Sequence, residues 1–156
     1  MRKYIHFLLA VLVTGVISCQ KEEGSSKYEE SNIVALQGVE YHYVFEQTSD
    51  SGTQKVVKYI NLVIDKSDIN KETKAITIEV TVPASNKSFP EEERAKVSLK
   101  NLAVAVGVST AAKVYPIGEA PKLGIPADWS KPSKYRVEAD NGNSSEWTIE
   151  VTSFKK

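Results

Sequence analysis

The sequence predicts an all-β domain, a sandwich or a barrel, on three observations. Apolar and polar residues alternate with period two in several separate stretches. Turn-forming residues interrupt those stretches at short intervals. No stretch shows helical periodicity. The chain has 156 residues, enough for one domain.

The first strand is expected from about Ile33. Val39, Tyr41, Tyr43 and Phe45 alternate with Glu40, His42, Val44 and Glu46, the pattern of a half-buried strand. His42 falls on the polar face, where a lone histidine is a solvated side chain rather than a ligand or base. Ser49-Asp50-Ser51-Gly52 is a turn cluster. The run from Val56 to Ile64 is apolar on both faces, as a central strand covered on both sides would be. Asp65 to Lys74 reads as a polar loop without the glycine and distal glutamate of a calcium site.

Ile76, Ile78, Val80 and Val82 alternate with Thr77, Glu79 and Thr81, a β-branched strand closed by Pro83, which cannot donate to a ladder. Ala84 to Arg94 reads as a loop in which Glu91, Glu92 and Glu93 form a solvated charge run. Leu99 to Val108 marks the next strand, and Val114 to Ile117 a short one. A stretch rich in glycine and proline follows. Tyr135, Val137 and Ala139, then Trp147, Ile149 and Val151, form two strands around Asp140-Asn141-Gly142-Asn143. Asn-Gly suits a tight hairpin turn needing positive φ at both central residues, and the extra residues Asn143 to Ser145 suggest a longer loop or bulge.

The N-terminus carries a different message. Arg2 and Lys3 precede the apolar run Ile5 to Val13, and small residues follow. That order reads as a secretory signal peptide. The run is too short to span a bilayer, which takes about 20 apolar residues. Val16-Ile17-Ser18-Cys19 resembles a bacterial lipobox, and the resemblance implies acylation of Cys19 as the new N-terminus. Cys19 is the one cysteine of the chain, so it has no intramolecular partner. Two or more acyl chains, at about 0.8 kcal/mol per buried methylene, give stable anchoring. Gln20-Lys21-Glu22-Glu23 resembles the stretch that directs bacteroidete lipoproteins to the exterior of the outer membrane; the alternative is a periplasm-facing protein. The boundaries expected are a signal peptide over 1–18, a lipidated N-terminus and flexible tether over 19–32, and one β domain over 33–156.

Composition narrows the function classes. Residues 1–18 carry Arg2 and Lys3 and no acid, so the rest of the chain holds 18 basic against 20 acidic residues. Such a balance gives no electrostatic footprint for nucleic acid. With His6 in the signal, His42 is the one histidine left. No nucleophile, base and orienter can be assembled, and there is no phosphate loop. An enzyme, a metal site and a cofactor are therefore not expected.

Ala127-Asp128-Trp129-Ser130-Lys131-Pro132, then Tyr135 to Gly142, then Trp147-Thr148-Ile149-Glu150-Val151, resemble the closing segment of Ig-like domains in bacteroidete surface lipoproteins. Here Asn141 intervenes between Asp140 and the glycine. The resemblance implies a single Ig-like antiparallel β-sandwich of seven or eight strands. It also implies company with glycan-binding or adhesin modules, though fold alone does not imply function. Exposed aromatic rings can stack on pyranose faces, so the candidate ligand residues are Trp129, Tyr115 and Tyr135. The competing reading places Trp129 as a core plug between the sheets and Tyr135 on an apolar strand face. The functional expectation is a non-catalytic surface lipoprotein binding extracellular glycan or protein. The rival is a structural spacer or assembly subunit with no soluble ligand.

Overall fold

A computed structural model describes residues 28–156. Cys19, the signal peptide and most of the expected tether lie outside the described residues. Eight strands form two sheets. Strands β1 (Ile33–Ser49), β2 (Gly52–Asn61) and β5 (Leu102–Val108) make the first, in the order β2-β1-β5. Strands β3 (Val63–Asn70), β4 (Ala75–Thr81), β6 (Lys113–Pro116), β7 (Ser133–Glu138) and β8 (Ser144–Lys155) make the second, in the order β3-β4-β8-β7-β6. The expected β-sandwich is present. One pairing departs from the antiparallel rule: β4 and β8 run parallel. A parallel pair needs a long crossover, and the chain supplies it by visiting the first sheet as β5 between them.

The period-two pattern does what it predicts. Val39, Tyr41 and Tyr43 of β1 face inward against Ile76, Ile78 and Val80 of β4, Tyr135 and Val137 of β7, and Trp147 and Ile149 of β8 in one buried cluster. Connections close its ends. Between β4 and β5 the chain folds Phe89 and Val97 into the core, around a short helix α1 (Glu91–Lys96) and a 3₁₀ turn (Leu99–Asn101). The Asn86 side chain accepts from the N–H groups of Ser88 (2.8 Å) and Phe89 (3.0 Å), which aims Phe89 inward. Phe89 packs against Tyr41 and Tyr43, themselves stacked at 5.8 Å. Among the described residues, no helix is long and apolar enough to cross a membrane.

Several expectations are corrected. The run Val56 to Ile64 is not one central strand. It breaks at Leu62, whose side chain turns into the core while its N–H donates to the Val39 carbonyl at 2.8 Å. On either side lie two edge strands, one in each sheet. Apolar β-branched residues favour an extended backbone but do not say whether another layer covers it. The polar segment after it is strand as far as Asn70, because edge pairing with β4 needs only backbone groups. The loop Ala84 to Arg94 includes the start of α1. Two of its three adjacent acids form ion pairs, Glu91 with Arg94 at 3.1 Å and Glu93 with Lys96 at 2.6 Å.

The last hairpin turns on one left-handed residue rather than two. Gly142 has φ +87°, whereas Asn141 is not among the residues with positive φ. The Gly142 N–H donates to the Ala139 carbonyl at 3.0 Å, and the Ala139 N–H to Asn143 at 2.7 Å. At the domain's start, Ser31 and Asn32, expected in the tether, are bonded to the sandwich. Trp147 Nε1 donates to the Ser31 carbonyl at 3.1 Å, and the Ser109 N–H to the Asn32 carbonyl at 2.9 Å.

Candidate functional site

Two of the three candidate aromatics are inside the molecule. Trp129 is 1% exposed and stacks on Tyr135 at 6.3 Å. Tyr135 is fully buried, its hydroxyl donates to the Pro121 carbonyl at 2.7 Å, and burial pushes its ionisation up. Neither offers a ring face to a ligand, which corrects the expectation for both. The reason is local: the Trp129 N–H donates to the Leu99 carbonyl at 2.7 Å, so the loop that carries Trp129 is tied down onto the sandwich. Trp129 Nε1 has no hydrogen-bond partner in the structure. Tyr115, on the short edge strand β6, is 38% exposed, with the Arg136 guanidinium 5.2 Å from its ring centroid. The structure therefore does not bring the three together on a surface.

A cleft of about 400 Å³ opens beside them, between the segments around Glu119 and Lys131. Its walls include Ile117, Glu119, Pro121, Asp128, Lys131 and Lys134. The Asp128 carboxyl is committed to Ser130, whose hydroxyl and N–H hold it below the usual carboxylate range. The charges are mixed and no aromatic ring lines the cleft. Among the described residues, no three His, Asp or Glu side chains cluster as a metal site would.

A second feature is the outer face of the β1–β2 ribbon. The register sets five side-chain pairs on it: Glu40 opposite Asn61, His42 opposite Tyr59, Val44 opposite Val57, Glu46 opposite Lys55, and Thr48 opposite Thr53. Val57 is 72% exposed, Tyr59 62% and Val44 59%. Three adjacent large side chains open to solvent form a patch of the kind that marks interaction sites. Polar groups edge it. His42 Nε2–H donates to Glu40 at 2.8 Å, and the imidazole lies 6.2 Å from the Tyr59 ring, tilted by 55°. Lys55 sits 3.9 Å from Glu46. On the inner side, Lys58 lays its ammonium over the Phe45 ring at 3.5 Å.

Sequence reasoning placed His42, Glu40 and Glu46 on this polar face but missed Tyr59, which it assigned to a covered strand. A signal was available. Lys55 and Lys58 point to opposite faces of the same short run, and lysine on both faces marks an edge strand.

Fold and face together define a two-sheet β-sandwich module with one sheet open to solvent along an aromatic and apolar ribbon. The chain belongs to the DUF5018-related family, whose model matches residues 33–150. It is similar to a protein of Bacteroides fragilis NCTC 9343, described as secreted, whose crystal structure aligns with 36% identity and a TM-score of 0.68 over 82% of this chain and 100% of that one. No curated protein matches.

Proposed function

We propose that this chain is a non-catalytic binding module, anchored at the exterior of the outer membrane through lipid on Cys19, whose Ig-like sandwich contacts extracellular carbohydrate through the outer face of the β1–β2 ribbon. The observation that carries the reading is Tyr59. The residue is 62% exposed on the outer sheet face, with Glu40, His42 and Asn61 beside it. A pyranose ring presents an apolar face for stacking and hydroxyls at its rim. The Tyr59 ring suits the first, and a carboxylate, an imidazole and an amide suit the second. The description of the Bacteroides fragilis relative as secreted supports export. The rival spacer reading calls for buried aromatics and a charged surface, and the patch of Val44, Val57 and Tyr59 runs against it.

The test is calorimetric titration of the chain from Gln20 to Lys156 with a panel of polysaccharides. Binding to at least one is expected, with a loss of about tenfold for Tyr59→Ala and no change for Tyr115→Ala. A Tyr59→Ala variant that binds as the parent does would refute the site. For the anchor, Cys19→Ala in the full chain is expected to leave the membrane fraction; retention there would sink the lipoprotein reading.

A further inference from the structure

We infer that β2 is a pairing edge and that its occupant is a second copy of this chain, added antiparallel about a two-fold axis at Val57. The two sheets have four edges, and three are protected. The free side of β5 is taken by the following loop: the Gly124 N–H donates to Val104 at 2.8 Å, and Leu102 and Ala127 bond each other. Strand β6 has four residues and ends in Pro116. Strand β3 is bulged between Ile64 and Lys66 and carries Asp65, Lys66 and Asp68. Strand β2 has ten residues, no proline, and an unbroken register with β1. Natural sheets blunt exposed edges with bulges, prolines, short strands, covering loops and charges; β2 has only the charges, Lys55 and Lys58, and is otherwise a long regular template for another strand.

The register says which backbone groups are free. The Leu62 N–H bonds the Val39 carbonyl, and bonding alternates along an antiparallel strand. Even-numbered residues of β2 therefore turn their N–H and C=O toward β1. Thr53, Lys55, Val57, Tyr59 and Asn61 turn theirs outward, and among the described residues no strand pairs with them.

Self-pairing centred on Val57 is the register in which all five engage. It sets Thr53 opposite Asn61 of the second copy, Lys55 opposite its Tyr59, and Val57 opposite its Val57. No lysine faces a lysine directly. Registers centred on Lys55 or Lys58 would each set two ammonium groups opposite one another, which destabilises a cross-strand pair. On the outer face the central row becomes Val44, Val57 and the same two valines of the second copy. Those side chains are 59% and 72% exposed in the single chain, and pairing gives them apolar neighbours. Inward-facing Lys58 does not block the edge, since its charge already rests on Phe45. The contact is isologous and closed, as a two-fold dimer requires.

Sedimentation equilibrium on the chain from Gln20 to Lys156 tests this. The mass is expected to rise with concentration, up to about 1 mM, toward twice that of one chain. A single-chain mass throughout overturns the inference. Val57→Pro removes an N–H that points away from β1, so the ribbon keeps its ladder. The variant is expected to stay at single-chain mass with unchanged circular dichroism, and a variant that still dimerises overturns the choice of edge. A second reading does not depend on proline being tolerated. This chain holds no cysteine once Cys19 is absent, and directly bonded antiparallel residues lie about 5.5 Å apart at Cα, within disulfide reach. Val57→Cys is therefore expected to cross-link under mild oxidant, while Thr53→Cys and Asn61→Cys are not. Equal cross-linking at the three positions would mean random collision and overturn the register.

Discussion

Replacing each tryptophan by phenylalanine should have unequal costs, although both rings are buried. Trp129 and Trp147 are 1% and 0% exposed, so the swap removes a similar amount of packed ring at each and leaves a similar gap. The polar atoms differ. Trp147 Nε1 donates to the Ser31 carbonyl and lies near Ser145 Oγ, both at 3.1 Å. Ser145 also donates to that carbonyl, so the acceptor keeps one partner when the indole goes. The loss is then an ordinary hydrogen bond, about 1 kcal/mol. Trp129 Nε1 is buried with no partner. A stranded buried donor costs about 1–3 kcal/mol, and phenylalanine removes it. Trp129→Phe should therefore be less damaging than Trp147→Phe by about 2 kcal/mol, or roughly 8 °C in melting temperature for a domain of this size. Urea unfolding followed by the one remaining tryptophan in each variant measures the difference. Equal midpoints, or a larger loss for Trp129→Phe, would refute the reasoning, because an unpartnered Nε1 could not then be a cost in the parent.

Three further outcomes are expected. Hydrogen bonds from Thr81 and Lys155 to Asp65, from Ser85 and Arg94 to Glu91, and from Ser130 to Asp128 hold all three carboxyls below their ordinary values. A depressed folded-state pKa gives stability that is present above the unfolded value, near pH 4, and lost as pH falls through the folded one; melting temperature should therefore fall on acidification below that point. At the alkaline end, burial and then the Glu93 hydrogen bond push Tyr41 up to about 12, so its contribution is complete below pH 10 and lost between 10 and 12, read as delayed absorbance at 295 nm. Gly142→Ala meets no neighbour within 4 Å, so its cost is the left-handed φ of +87° alone, about 1 kcal/mol in thermal unfolding.

The strands whose side chains alternate cleanly were legible because one face is buried and the other is not. Ile76 to Val82 and Tyr135 to Ala139 show this, and their inward residues are core residues in the structure. Where neither face is buried, or both faces are apolar, the alternation says nothing. Residues 65–70 are strand with a polar sequence, since the ladder to β4 uses backbone groups that every residue has. Residues 56–64 carry apolar residues on both faces yet form two edge strands, since Leu62 redirects the chain from one sheet to the other. Tyr59 was lost to the reading for the same reason.

The sequence by itself determined the β class, the inward face of most strands and the turn at Gly142. Those are local matters: side-chain period, backbone freedom and the residue types available. Only the tertiary structure decided which strands are edges, that β8 lies parallel between β4 and β7, that Trp129 and Tyr135 pack inside, and that Tyr59 stands open beside His42. Each of those depends on which layer covers a residue. Coverage is a property of segments far apart in the chain, and no window of neighbouring residues contains it.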